Sequence, residues 1–274
     1  MKIYQVDAFS QYLFQGNPAA VIVLDEWLAD ELMQNIALEN NLSETAFIKR
    51  LDDTHYLIRW FTPTAEVAFC GHATLAGAFV LFQYFTQATK IEFEVKQLGT
   101  FYISRAEDGK IVMNFPIRRL EQLEEYPEIF NEALNKPIQA VYSNAQAYVI
   151  ELGSAQDVMD VHVDFLKLKA FGEMRAVMEA PSLDVAVTAS GGEEYPYDCI
   201  SRYFAPDIGI NEDPVTGSIH TAIVPLWAEK LGKTELLAYQ ASPRGGELFC
   251  RILDDERIEI SGYAKLYMIG DLFL

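Results

Sequence analysis

The chain repeats itself, and the repeat constrains its fold more than any other feature. Asn17–Leu24 resembles Asn144–Glu151, each an asparagine turn leading into a β-rich run. Ser43–Ile48 then matches Leu183–Thr188, and Arg59–Pro63 matches Arg202–Pro206. Cys70–Thr74 matches Thr216–His220, and Gln97 to Met113 echoes Gln240 to Ile260. The offset drifts only from 127 to 146 residues, as loop insertions would make it. Ordered matches at one spacing predict two copies of one α/β unit, each with several strands and two helices. A cleft between two such halves is the expected place for a site.

The helices of each half differ in kind. Asp25 is placed to cap a first helix with Leu28, Leu32 and Ile36 along one face, and Val158 to Leu168 is its weaker counterpart. The second helix follows Gly71, and Ala73 to Phe82 carries no charge at all. A helix apolar all round must be buried on every side. The stretch after Gly217 is similar, with Ile219, Ala222, Ile223, Val224, Leu226 and Trp227, and Pro225 is expected to bend it or shift its start. A curved sheet wrapped around each helix satisfies both. Residues 116–137, rich in Glu, Pro and Asn, read as the linker. The expected lobes are residues 1–117 with 265–274, and residues 118–264.

Charge narrows the partners. The 274 residues hold 21 Lys and Arg against 40 Asp and Glu, a formal net charge of -19. Such a surface repels phosphate backbones and anionic lipid, so neither nucleic acid nor membrane is an expected partner. The longest apolar stretch, Ala73 to Phe85, is shorter than the roughly 20 residues of a membrane span. The first residues lack a signal peptide's pattern and read as a strand. Cys70, Cys199 and Cys250 are too few and scattered for a disulfide framework, and no pair has zinc-site spacing. A reducing cytoplasm and a small-molecule substrate are the expectation, with no metal.

Several residues are candidates for chemistry. Gly71 and Gly217 each open a buried helix, where backbone N–H groups and a partial positive charge suit a carboxylate. Glu44 has apolar neighbours, and a carboxyl beside an apolar wall can exchange protons near neutrality, although this segment alone reads equally well as a helix-to-strand junction acid facing water. His72 is the one histidine of four that lies in such a helix-opening turn; His55 and His162 read as solvated or packing residues and His220 as a core residue. Asp213 precedes a proline and Ser218 lacks a hydrolase elbow, so each alone reads as structural. Cys70 is a small buried residue by default. No Walker, dinucleotide-binding or zinc-protease motif occurs.

Together, Gly16–Val21, Leu42–Phe47, Arg59–Pro63, Cys70–Thr74 and Glu212–Ser218 resemble the PhzF family of phenazine-biosynthesis-like isomerases. The resemblance implies the diaminopimelate-epimerase-like α/β (α+β) fold: two pseudo-symmetric lobes, each a curved or barrel-like sheet around a central helix. It implies cofactor-free isomerisation, in the founding case of a dihydro-hydroxyanthranilate, with a glutamate taking a proton from one carbon and returning it at another. Glu44 stands at that glutamate's place. His72, Asp213 and Ser218 match the other polar site residues, with roles in binding the substrate and aiding proton transfer. The substrate carboxylate is expected at Gly71 and Gly217, and Asn17 and Asn144 match substrate-side asparagines. A homodimer is also expected.

One departure matters. The related epimerases use a cysteine from each half, and here Cys70 is present but Thr216 stands where the second would be. A Thr hydroxyl is too weak an acid or base for that role. A one-carboxylate isomerase acting on a small, possibly cyclic, amino or hydroxy acid is the leading expectation. An epimerase using Cys70 with another acid, and a non-catalytic small-molecule binder, are the alternatives.

Overall fold

The computed structural model describes residues 1–96, 98–177 and 184–274, so Gln97 and Leu183, which open two repeat segments, lie outside the described residues. The chain divides into two units: Met1–Phe115 with Glu259–Leu274, and Pro116–Ile258. The first unit runs β1 (Lys2–Ala8), β2 (Asn17–Leu24), α1 (Asp30–Asn40), β3 (Glu44–Arg50), β4 (His55–Phe61), β5 (Glu66–Val67), α2 (Gly71–Tyr84), β6 (Lys90–Val95), β7 (Gly99–Arg105) and β8 (Ile111–Pro116). The second runs β9 (Glu121–Leu123), α3 (Ile129–Ala133), β10 (Ile138–Ser143), β11 (Ala147–Leu152), α4 (Ala155–Asp160), α5 (Phe165–Val177), β12 (Asp184–Ser190), β13 (Cys199–Ala205), β14 (Ile210–Asp213), α6 (Gly217–Leu231), β15 (Glu235–Gln240) and β16 (Gly246–Ile252). β17 (Arg257–Gly262) and β18 (Ala264–Asp271) end the chain.

The repeat holds at the level of strand pairing. β2 and β3 are parallel, as are β11 and β12. β3 and β4 are antiparallel, as are β12 and β13. β4 then pairs with β5 antiparallel and with β6 parallel, and β13 does the same with β14 and β15. Register repeats too: Ala19 faces Glu44 and Thr45 faces Phe61 in the first unit, while Ala147 faces Asp184 and Val185 faces Phe204 in the second. β18 pairs antiparallel with β1, and the Met1 amino group donates to the Leu272 carbonyl at 3.0 Å.

Both central helices are buried as their composition demands. In α2 every residue from Gly71 to Ala78 is buried, and the helix packs on β1, β2 and β3. Gly77 allows the close approach to β3, since a Cβ there would lie 2.7 Å from Ile48 Cδ1. α6 buries Ile219, His220, Ala222, Ile223, Val224 and Trp227 and packs on β12, β15 and β16. Pro225 does not shift the start of α6, which remains Gly217. A proline has no N–H to offer the carbonyl four residues earlier. That carbonyl, of Thr221, accepts instead from the backbone N–H of Arg118 at 3.1 Å.

Three expectations from the sequence are corrected. α1 starts at Asp30, not after Asp25; Trp27 and Leu28 pack on its core from the approach segment, so an apolar stripe continued where the backbone was not helical. The helix read over Val158 to Leu168 is two, α4 and α5. Val163 bridges to Leu134 between them, and the Asp164 carboxylate accepts from the amides of Leu166 and Lys167 to start the second. Residues 116–137 are not a free linker, because they hold β9 and α3, and Phe130 and Ala133 are buried in the core of the second unit. Among the described residues no helix is long and apolar enough to cross a membrane.

Candidate active site

In the first unit the polar groups gather where β3 begins and α2 begins. Side chains alternate along a strand, so Glu44 and Ile48 share a face of β3. Ile48 reaches Gly77 of α2 on that face, and Glu44 reaches His72 in the first turn of the same helix. The Glu44 Oε2 atom lies 3.0 Å from His72 Nε2, with side-chain exposures of 13% and 5%. The contact is an ion pair whose geometry falls short of a well-aligned hydrogen bond. On the other side of the ring, Asn17 Nδ2 lies 3.1 Å from His72 Nδ1. Asn17 opens β2 and is fully buried.

Cys70 is the residue before α2, and its sulfur lies 3.4 Å from His72 Nδ1. Burial pushes the Cys70 thiol up to about 11, with the Glu44 charge adding to the effect. Burial opposes a charged His72, yet the adjacent Cys70 sulfur and Glu44 carboxylate carry its pKa well above the ordinary value. Glu44 meets the ring on its Nε2 side and Cys70 on its Nδ1 side.

In the second unit the equivalent positions hold a different set. Ser218 is the second residue of α6, and its Oγ accepts from Gln146 Nε2 at 2.8 Å. The same Nε2 donates to Tyr203 Oη at 3.2 Å, and Gln146 Oε1 accepts from Arg118 Nη1 at 2.7 Å. Both protons of that amide nitrogen are therefore used, and Tyr203 donates its own proton to Asp184 Oδ2 at 2.5 Å. The polarity of the chain leaves the Ser218 hydroxyl free to donate, so it suits an acceptor oxygen such as a carboxylate.

Asp213 ends β14 and accepts from the Thr216 hydroxyl. The Thr216 amide donates to Gln240 Oε1 at 2.8 Å, and Gln240 Nε2 donates to the Asp213 carbonyl at 2.6 Å. Asn144 serves a turn, its Oδ1 accepting from the amides of Gln146 and Ala147 at 2.8 and 3.1 Å. Its buried Nδ2 has no hydrogen-bond partner. His220 is a satisfied core residue between the Thr216 carbonyl at 2.8 Å and Ser201 Oγ at 3.1 Å, and burial depresses it to about 4. His55 is exposed beside Asp52, and His162 is exposed and holds the Asp160 carbonyl.

Within the first unit the structure thus brings together Asn17, Glu44, Gly71 and His72; within the second, Ser218 and Gly217 adjoin Gln146, and Asp213 adjoins Thr216. Sequence reasoning missed Gln146, Tyr203, Gln240 and Asp184. The signal for Asp184 was present, because it occupies in β12 the register that Glu44 occupies in β3. Burial raises the Asp184 pKa to about 6, opposed by the Tyr203 hydrogen bond and assisted by the charges of Asp207 and Asp213.

That shift has a consequence for stability. From about pH 4 to about pH 6 the folded protein keeps a proton on Asp184 that the unfolded chain has released. Its stabilising effect is complete below that window and is lost as pH rises through it. Asp184→Asn needs no proton and still accepts from Tyr203. It is expected to melt above wild type at about pH 7.5, by up to about 3 kcal/mol, and to equal it near pH 4. An equal difference at both pH values in calorimetry contradicts this assignment.

Comparison with known proteins places this geometry in a family. The model of the family described as phenazine biosynthesis-like protein matches residues 6–270. An uncharacterized isomerase of Pseudomonas aeruginosa is 43% identical, with 100% of this chain and 99% of the relative covered. The crystal structure of a phenazine biosynthesis PhzF-family protein from Enterococcus faecalis superposes with a TM-score of 0.89 at 41% identity, covering 100% of this chain and 99% of that one. A hydroxyproline epimerase from Agrobacterium vitis shares the fold alone, with a TM-score of 0.58 at 9% identity over 98% of this chain and 91% of that one.

Proposed function

The chain belongs to the phenazine biosynthesis-like (PhzF) family of isomerases, and from that premise we propose that it moves a proton on a small carboxylate-bearing amino or hydroxy acid, with Glu44 as general acid and base. The observation that supports this reading most is the nearly buried Glu44 carboxylate with its Oε2 3.0 Å from His72 Nε2. His72 holds one carboxylate oxygen in place, and the other takes the proton. Glu44 removes a proton from a carbon activated by an adjacent unsaturated or carboxyl-bearing group. The resulting anion is delocalised over the substrate, and the protonated Glu44 returns the same proton at a second carbon. Substrate and product differ only in the place of one proton and one double bond, so the step needs no oxidant or second reactant.

Within the first unit the first-turn amides at Gly71 suit a substrate carboxylate, and within the second the Ser218 hydroxyl and the first-turn amides at Gly217 suit an acceptor oxygen of the same kind. Asn17 orients His72, and Asp213 fixes the Thr216 turn. A two-thiol racemase is disfavoured: the Cys70 thiol is neutral at neutral pH and the Thr216 hydroxyl is committed to Asp213.

The test uses a panel of cyclic and acyclic amino and hydroxy carboxylates in deuterium oxide, followed by proton NMR. A substrate is expected to show a moved double bond, and Cys70→Ser is expected to retain turnover within about threefold, since no catalysed proton passes through it. Scrambling of a stereocentre without bond migration, lost in Cys70→Ser, contradicts the proposal.

A further inference from the structure

The Ser218 hydroxyl points its proton outward only while the Gln146 amide faces it with nitrogen and not with oxygen. A side-chain amide can turn over, so its neighbours must hold it one way. Arg118 does this. A guanidinium donates and never accepts, and Arg118 Nη1 meets Gln146 Oε1 at 2.7 Å. Turning the amide over would set its NH2 group against that donor. It would also aim Oε1 at Tyr203 Oη, whose proton is already given to Asp184 Oδ2. Both ends of the amide oppose the turned-over state.

Arg118 is itself anchored at α6. Its backbone N–H donates to the Thr221 carbonyl at 3.1 Å, the carbonyl that Pro225 leaves without a helical donor. The Thr221 hydroxyl in turn donates to the Ser218 carbonyl at 2.7 Å. The guanidinium, the amide and the half-buried hydroxyl thus form one directed chain, all of it inside the second unit.

We propose that Arg118 and Gln146 are positioning residues that set ligand specificity: by holding the Ser218 hydroxyl as a donor, they make this end of α6 select a carboxylate over the carboxamide of the same shape. The proposal rests on the reading of Ser218 as a group that meets the substrate carboxylate. A hydrogen bond to an ionised oxygen is roughly twice as strong as one to a neutral carbonyl, so an outward proton favours the anion. Gln146→Glu reverses the polarity. The new carboxylate keeps the contact with Arg118, and its other oxygen takes the Ser218 proton. The hydroxyl then shows only lone pairs to a ligand, which repel a carboxylate oxygen and accept from an amide NH2 group.

The test measures dissociation constants of pyroglutamate, mandelate and benzoate beside those of their primary amides, with every variant checked for a cooperative melt. Wild type is expected to favour at least one of these carboxylates over its amide by about tenfold or more, the worth of one charge-assisted hydrogen bond. Gln146→Glu is expected to invert that preference. Arg118→Leu, which releases the amide, is expected to lose most of it, and Arg118→Lys, another pure donor, to keep it. In a Ser218→Ala background, Gln146→Glu and Arg118→Leu are expected to change the preference by less than about threefold, because the hydroxyl they act through is gone.

No carboxylate preference in wild type, or an undiminished effect of Gln146→Glu without the Ser218 hydroxyl, overturns the proposal; the second result shows a charge or packing effect that bypasses Ser218. A preference lost in Ser218→Ala but unchanged in Gln146→Glu overturns the role of Gln146 alone. Ser218→Ala that keeps the full wild-type preference overturns the functional reading of Ser218 instead, so the two failures are distinguishable.

Discussion

Glu44→Gln is expected to lower turnover by at least about 1000-fold while the protein stays folded and still binds carboxylates. General acid–base assistance alone accounts for about 100- to 10,000-fold, and here one group performs both transfers. The substitution keeps shape and hydrogen-bonding capacity but removes the basic oxygen. Glu44 opens a strand and retains some exposure, so replacing it leaves no cavity. The measurement is single-turnover proton transfer in deuterium oxide beside ligand binding by calorimetry. A variant that keeps a tenth of wild-type turnover removes Glu44 from the mechanism. A fall in binding equal to the fall in rate shows a binding role only.

Gly16→Ala is expected to lower stability by about 3 kcal/mol or more, which corresponds to a melting point lower by roughly 6–12 °C in a chain of this size. Gly16 has a φ of 70°, and a Cβ there would lie 2.1 Å from the Ala8 carbonyl oxygen. That oxygen belongs to the end of β1, where Ala8 is paired with Asn17 of β2, so no side chain can swing aside to make room. Relief requires parting β1 from β2 beside Asn17, whose amide faces His72. The damage therefore extends to the candidate site, and residual folded protein is expected to turn over more slowly. Gly99→Ala is the matched control: its φ is 82° but nothing lies within 4 Å of the added Cβ. It is expected to cost only about 1–2 kcal/mol of backbone strain. Equal losses in the two variants show that backbone conformation, and not the contact with Ala8, sets the effect.

The repeat, the two buried helices and the residue types around Glu44 and His72 were legible in the chain because they are local patterns. The start of α1 was not, because Leu28 lies on the helical stripe yet contributes its apolar surface from outside the helix. The break between α4 and α5 depends on Val163 meeting Leu134, a contact 29 residues away that no local pattern announces. The same limit hid the network of the second unit. Asp184, Tyr203, Gln146 and Ser218 come from three strands or turns and a helix, and only strand register brings them within hydrogen-bonding distance. Asp184 carried one clue, its alignment with Glu44, whose meaning depended on knowing that Tyr203 reaches it.

β1 pairs with β2 on one side and with β18, made after the whole second unit, on the other. During synthesis every residue of the second unit, through Ile258, has left the ribosome's active centre before β18 has been made. The unit that holds Glu44 and His72 is thus the first begun and the last completed. Its sheet stays one strand short, with the β1 edge unpaired on that side, until β18 has been made. A chain cut off before Ala264 would keep Glu44, Cys70 and His72 but lack the strand that closes the sheet behind them.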